Sequence, residues 1–182
     1  LGEVDILVGN AGGPPPGGFA DFDDGTMSSA FNLTTASAWR LAQAVVPAMK
    51  SRGSGVLIFL TSSTTKEVVP SLLLSNMMRA AVVGLAKTLS KELGPDGIRA
   101  LCVAPGRVAT ARLDQIDQAN ADKFGRSIEE QRALIQSSIP LGRYADPKEF
   151  GDIVAFLASE RASYVSGTTV MVDGGLLDGI LS

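Results

Sequence analysis

The sequence predicts an α/β fold in which a doubly wound parallel sheet carries helices on both faces. Short apolar segments of strand length alternate with longer segments whose apolar residues recur every three or four positions, the period of an α-helix. Strands separated by helices of ten or more residues cannot pair as hairpins, so they lie parallel and are joined by right-handed crossovers. The predicted strands are residues 4–8, 56–60 and 98–104 and a last one within residues 164–175. We expect residues 1–182 to form one domain.

The first strand, Val4–Val8, is short and apolar except for Asp5, a composition typical of a strand buried on both faces. A turn of small residues, 9–13, follows it directly. The strand begins only three residues into a chain whose first residue is Leu1. We therefore expect the sequence to be the C-terminal part of a longer domain.

A helix is predicted over residues 28–49, because apolar residues recur on one side of it. Pro47 should kink or shorten its last turns, since proline removes a hydrogen bond of the helix interior. A turn over residues 51–55 then leads to the second buried strand, 56–60.

The central helix follows a hydroxyl-rich turn that begins at Thr61. Its apolar residues are spaced three and four apart, and Gly94 and Pro95 end it. The apolar positions are Met78, Val82, Leu85, Leu89 and Leu93. This segment is the longest amphipathic element of the chain.

Capping residues predict two further helices after the third strand. Ser127 and Glu130 have the spacing of a capping box. Asp146 is a typical N-cap, and Pro147 then occupies the first helical position with Glu149 two residues on. The more polar region 111–139 contains the first of these two helices.

The composition excludes several classes of function. The chain has no histidine, which excludes a Ser-His-Asp hydrolase and most zinc chemistry. A net charge of −3 gives no support to nucleic acid or an anionic membrane surface as a partner, and the apolar runs are far shorter than the roughly 20 residues that cross a bilayer. Cys102, the one cysteine, lies in an apolar strand and is predicted to be a buried structural thiol. We expect a cytoplasmic protein.

Three polar segments each come directly after a predicted strand: residues 10–12, Ser62 and residues 105–110. In open parallel sheets, ligands bind outside the carboxyl ends of the strands. The three segments are therefore expected to lie on one rim of the sheet and to form a binding site there.

These segments resemble the short-chain dehydrogenase/reductase family. In that family a serine stands thirteen residues before the tyrosine of a Tyr-x-x-x-Lys motif; counted from Ser62, the tyrosine position holds Ser75 and the lysine position holds Arg79. Residues 9–12 resemble the family's Asn-Asn-Ala-Gly turn, and residues 105–110 resemble its Pro-Gly-x-Val-x-Thr loop. The pattern is most similar to the 3-oxoacyl-carrier-protein reductase branch.

The resemblance implies a Rossmann-like sheet, NAD or NADP as cofactor, and hydride transfer to or from a small alcohol, a ketone or a 3-oxoacyl substrate. It also implies a homodimer or homotetramer. No Gly-x-x-x-Gly-x-Gly sequence precedes the first strand, so the N-terminal strands and glycine-rich turn of that fold lie outside this sequence. The implied cofactor-binding residues are Asn10, Ala11, Gly12, Arg79, Pro105, Gly106, Val108 and Thr110.

The implied catalytic residues are Ser62, which binds the carbonyl, Asn32, whose backbone carbonyl holds a water, and Ser75 with Arg79 in place of the usual acid pair. A tyrosine of pKa about 10, lowered by a nearby ammonium, can protonate an alkoxide near neutral pH. A serine hydroxyl is far less acidic. Tyr144 and Tyr164 are the other candidate acids, and Lys66 and Glu67, in the loop after Ser62, are near enough in sequence to be considered as well.

Two alternative functions remain open at this point. The missing tyrosine and lysine also suit a non-catalytic relative that binds a dinucleotide or acts as a structural subunit. A lyase or isomerase would instead use Arg79 to stabilise an enolate without net hydride transfer.

Overall fold

A four-stranded parallel sheet forms the centre of the fold in the computed structural model, which describes residues 3–180. The strands follow one another across the sheet in chain order, and their ends are close in register: Gly9 lies beside Phe59, and Leu60 beside Val103. The α/β prediction is thus confirmed. The strands are β1 (Ile6–Gly9), β2 (Gly55–Leu60), β3 (Ile98–Pro105) and β4 (Thr169–Val172).

The helices connect these strands, and two of them begin at the capping residues that the sequence predicts, whereas the helix over residues 111–124 is not among the predicted ones. Both capping boxes form, one between Ser127 and Glu130 and the other between Asp146 and Glu149. No helix within residues 3–180 is long and apolar enough to span a membrane. The helices are α1 (Asp24–Phe31), α2 (Ser37–Arg52), α3 (Leu73–Glu92), α4 (Ala111–Phe124), α5 (Ile128–Ser137) and α6 (Pro147–Ala158).

The core has two layers because successive side chains of a strand point to opposite faces of the sheet. Leu57 and Phe59 of β2 are buried on the face that α2 and α3 cover. Ile58 of β2 is buried on the other face, against residues of α6 such as Leu157. Each fully buried side chain of this size contributes about 1.5–3 kcal/mol of hydrophobic stabilisation.

The prediction that the first strand is buried on both faces is wrong. Ile6 and Val8 are 47% and 44% exposed, whereas Leu7 between them packs against the α2 and α3 layer. Among the strands described, β1 pairs with β2 alone. The layer of α2 and α3 covers the Leu7 face of β1, whereas the face that carries Ile6 and Val8 stays open to solvent among the described residues.

The helix predicted over residues 28–49 differs in three ways. It begins earlier, at Asp24, where Asp23 caps it by accepting a hydrogen bond from the Thr26 backbone. A π-helical turn, Asn32–Ala36, separates α1 from α2. Pro47 does not shorten α2, which continues to Arg52, because Met49 is fully buried and anchors the last turn to the core.

Candidate active site

The loop after β1 forms one wall of a cavity of about 260 Å³ at the carboxyl rim of the sheet. Four of the implied cofactor-binding residues line it together: Asn10, Ala11, Gly12 and Arg79. Residues of the π turn and the start of α2 form the opposite wall. The sequence therefore predicted one side of this cavity and missed the other, whose polar residues are Thr34 and Ser37.

Arg79 lies in α3 and is only 8% exposed. Its guanidinium donates to the Leu60 carbonyl at 2.7 Å, to the Ala11 carbonyl at 3.1 Å and, more weakly, to the Gly12 carbonyl at 3.5 Å. These carbonyls belong to the end of β2 and to the loop after β1, so Arg79 ties the two together. Burial lowers the pKa of Arg79, but a guanidinium still keeps its proton at neutral pH.

Two buried polar atoms along the cavity have no partner among the described residues. They are Nε of Arg79 and Oγ1 of Thr34, which is 1% exposed. Buried polar groups are normally hydrogen-bonded, and an unmet one costs about 1–3 kcal/mol. Both atoms are enclosed by protein, so a ligand or water in the cavity as it stands does not contact them.

Ser62 and Ser75 are brought together through Thr64. Ser62 follows β2, and its Oγ accepts a hydrogen bond from the Thr64 backbone N–H at 3.2 Å. The Thr64 hydroxyl lies 3.3 Å from the Ser75 hydroxyl, in the first turn of α3. Within residues 3–180, Arg79 makes no hydrogen bond to either serine. Ser62, Thr64 and Ser75 therefore form a hydroxyl cluster that shares no hydrogen bond with the Arg79 guanidinium among the described residues.

Asn32 lies at the start of the π turn, and its side chain is engaged with neighbouring residues. Its amide nitrogen donates to the Ser28 carbonyl at 3.0 Å, and its amide oxygen accepts from Arg40 at 3.2 Å. Turns of the π type inside a helix occur frequently at functional sites. The next residues, Leu33 and Thr34, line the cavity, so the π turn places this part of the helix beside the loop after β1.

The loop after β3 lies on the other side of the rim. Gly106 packs so tightly on Asp173 that a Cβ there would lie 2.6 Å from the Asp173 Cα, which explains the need for glycine. Val108 forms a β-bridge with Ala145. Thr110 caps α4, with its hydroxyl accepting from the Leu113 backbone at 3.4 Å.

Comparison with known proteins identifies the family. Residues 1–177 match the family model described as enoyl-(acyl carrier protein) reductase, a short-chain dehydrogenase/reductase model. The chain belongs to the short-chain dehydrogenase/reductase family. The oxidoreductase UcpA of Escherichia coli (strain K12) is 35% identical over 175 residues, which are 96% of this chain and 65% of UcpA. The chain thus spans less than two thirds of that relative's length.

Solved structures of the short-chain dehydrogenase/reductase family superpose closely on the chain. YwfH, described as an NADPH-dependent reductase involved in bacilysin biosynthesis, has a TM-score of 0.93 at 29% identity, with 98% of this chain and 68% of YwfH covered. The L-sorbose reductase of Gluconobacter frateurii, complexed with NADPH and L-sorbose, has a TM-score of 0.92 at 30% identity. There, 99% of this chain and 69% of the reductase are covered.

Neither tyrosine occupies the position that a short-chain dehydrogenase/reductase acid would need. The Tyr144 hydroxyl donates to Asp117 of α4 at 2.8 Å, and burial, together with this carboxylate, raises the pKa of Tyr144 to about 12. A general acid near neutral pH needs a shift in the opposite direction. Tyr164 has a fully exposed side chain.

Cys102 should be inert in the folded protein. It is fully buried in β3, and burial raises the pKa of its thiol to about 12, although a hydrogen bond with Thr169 acts in the opposite direction. We expect no reaction with a disulfide reagent at about pH 8 until urea unfolds the chain. The folded state keeps a proton that the unfolded thiol releases near its ordinary pKa of 9.0, so this residue lowers the free energy of unfolding as the pH rises from 9 towards 12. Rapid labelling of the native protein would contradict the burial.

Thr64, Thr34 and Ser37 are polar residues of the site that sequence reasoning missed. Thr64 is one of five consecutive hydroxyl residues, 61–65, and nothing in the sequence distinguishes it from its neighbours. Thr34 follows Asn32 by two residues, and its importance depends on the π turn, which the apolar periodicity does not indicate.

Proposed function

We propose that the protein is an NAD(P)-dependent oxidoreductase that transfers a hydride between a nicotinamide cofactor and a small alcohol, a ketone or a 3-oxoacyl substrate. One observation carries the proposal: Ser62 follows β2 at the carboxyl rim of the sheet, between the two loops that resemble the family's cofactor-binding segments. Its hydroxyl oxygen already accepts a hydrogen bond from the Thr64 backbone. NADPH appears in the descriptions of both solved relatives and is the first cofactor to test.

The residues at the rim fit a dinucleotide. Asn10, Ala11 and Gly12 line the cavity together with Arg79 and would hold one part of it. The loop after β3 would hold another part through Pro105, Gly106, Val108 and Thr110. When bound, the reduced nicotinamide supplies the hydride that the carbonyl carbon receives.

The proposed chemistry does without the tyrosine and lysine of the family. Ser62 would donate a hydrogen bond to the substrate carbonyl, and Ser75 would contribute a second hydroxyl. Neither serine can release a proton readily near neutral pH, so the alkoxide would take its proton from a water molecule, and the resulting hydroxide would be neutralised by the solvent. Asn32, at the π turn, would order that water through its backbone carbonyl. Arg79 would position the loop after β1 for the cofactor, because its donors bind the carbonyls of Leu60 and Ala11.

Absorbance of the nicotinamide tests this proposal. The protein, with any native flanking sequence present, is mixed with NADPH or NADH and a panel of ketones and 3-oxoacyl thioesters. The proposal expects oxidation of the cofactor that depends on both the protein and the ketone. Tight cofactor binding without oxidation across the panel would overturn it.

A non-catalytic dinucleotide-binding relative is the second candidate. It is favoured by the engagement of Arg79 with backbone carbonyls and of Ser75 with Thr64, since both contacts are also explained by a structural role. Binding of NADPH without turnover would be its signature. The same contacts of Arg79 give no support to a lyase, because two of its three nitrogens already donate to backbone groups and not to a substrate.

We also propose that the protein is a homodimer or homotetramer. Small residues of α3, including Ala80, Ala81 and Gly84, are exposed and allow another helix to approach closely. Trp39 of the preceding helix is a large apolar residue that is exposed as well, at 48%. A monomer in sedimentation at micromolar concentration would contradict this proposal.

A further inference from the structure

We infer that Thr64 is a positioning residue that holds both Ser62 and Ser75 as hydrogen-bond donors towards one substrate oxygen. The inference rests on the proposed function, because it assigns the two serine hydroxyls to the same carbonyl group. The ligand class it implies is a ketone or thioester carbonyl whose oxygen gains negative charge during the reaction.

The backbone of Thr64 orients Ser62. A serine hydroxyl has one proton to donate and two lone pairs to accept with. The Thr64 N–H occupies one lone pair of the Ser62 Oγ at 3.2 Å. Thr65 does not compete for this oxygen, because its own hydroxyl donates to the Ser62 carbonyl at 2.8 Å. The proton of the Ser62 hydroxyl is therefore left for a ligand.

The side chain of Thr64 orients Ser75. Thr64 is 6% exposed, and the Ser75 Oγ at 3.3 Å is the acceptor available to its hydroxyl within residues 3–180. If Ser75 donated in this pair, the Thr64 proton would be buried without an acceptor, at a cost of about 1–3 kcal/mol. We take Thr64 as the donor and Ser75 as the acceptor of this pair, which leaves the Ser75 proton for a ligand.

One residue thus fixes the polarity of two hydroxyls that belong to different elements, the end of β2 and the first turn of α3. Donors aimed at a developing oxyanion lower the barrier most when they are already oriented, because the site then needs no rearrangement during the reaction. This arrangement stabilises charge on the oxygen and does not supply a proton. It therefore compensates in part for the missing tyrosine.

Isosteric replacement of Thr64 tests the side-chain contact. Thr64→Val keeps the backbone N–H that holds Ser62 but removes the hydroxyl that holds Ser75. We expect kcat with acetoacetyl-coenzyme A and NADPH to fall about tenfold, which is less than the 10²–10³-fold loss caused by removal of a whole oxyanion donor. The Kd for NADPH should be unchanged. Thr64→Ser, which restores the hydroxyl, should recover most of the rate.

Thr61→Val is the matched control, because Thr61 is equally buried, at 5%, and its hydroxyl bonds the Val103 carbonyl outside the cluster. It should lower the melting temperature as much as Thr64→Val does and leave kcat within about twofold of the wild type. If the two variants have the same kcat, the positioning role is overturned.

A double variant shows whether Thr64 acts through Ser75. Ser75→Ala and Thr64→Val should each reduce kcat, and the combined variant should be no slower than Ser75→Ala alone, because residues that act as one unit are not additive. Multiplying effects would overturn the inference.

The inference and the proposed function fail in different ways. If the wild type binds NADPH but does not oxidise it, the proposed function fails, and calorimetric titration of the NADP⁺ complex with acetoacetyl-coenzyme A then decides about Thr64. Weaker thioester binding by both Thr64→Val and Ser75→Ala, but not by Thr61→Val, would support the role. Equal binding by all of them, or no binding by any, would overturn it.

Discussion

Replacement of Arg79 with methionine should lower the free energy of unfolding by about 3 kcal/mol, the largest effect on stability that we expect from a single residue of the site. Methionine fills the space of the side-chain stem but leaves the carbonyls of Leu60 and Ala11 without their donors. Each buried unmet acceptor costs about 1–3 kcal/mol. Because these carbonyls hold the loop after β1 to the end of β2, NADPH binding should also weaken.

Urea denaturation measures this effect, with Arg112→Met as the control. Arg112 is an exposed arginine of α4, and its replacement should change the free energy of unfolding by no more than about 0.5 kcal/mol. If Arg79→Met were as stable as the control, the guanidinium would not be what holds the two loops together.

Replacement of Ser62 with alanine should reduce kcat by about 10²–10³, the usual effect of losing one oxyanion donor. The backbone N–H of Thr64 would lose its acceptor, but the loops that line the cavity would be unchanged. The Kd for NADPH should therefore stay within about twofold of the wild type, and the loss should appear in turnover.

Ser63→Ala is the matched control, since Ser63 is the adjacent residue and has a similar, half-buried environment. Steady-state kinetics with the same ketone should give Ser63→Ala a kcat near that of the wild type. An equal loss in both variants would assign the effect to the turn as a whole and not to the Ser62 hydroxyl.

Local signals in the sequence were sufficient to predict the sheet and the helices α3, α5 and α6, but not α4 or the division of the first predicted helix into α1 and α2. Apolar periodicity located the strands and α3, and the capping boxes at Ser127 and Asp146 began helices where the structure has them. These features depend on residues within one or two turns of each other, so a sequence contains them directly. The prediction that residues 10–12, Ser62 and residues 105–110 lie on one rim of the sheet likewise followed from the parallel order of the strands.

The features that the sequence did not predict depend on distant contacts. The exposure of Ile6 and Val8 depends on what lies beside β1, which the pattern of the strand itself does not contain. Arg79 meets carbonyls 19 and 68 residues away, and Thr64 meets Ser75 across an intervening loop. The π turn at Asn32 shifts the helical period without changing the composition of the helix.

Transfer of deuterium from labelled NADPH is the most direct test of hydride transfer without a tyrosine. The protein is incubated with [4-²H]NADPH, prepared as each of the two C4 stereoisomers, and a 3-oxoacyl thioester, and the product is analysed by mass spectrometry. We predict a hydroxyacyl product that is heavier by one mass unit with one of the isomers, and loss of that product in Ser62→Ala. A product without deuterium from either isomer, or no product while NADPH binds, would contradict the account.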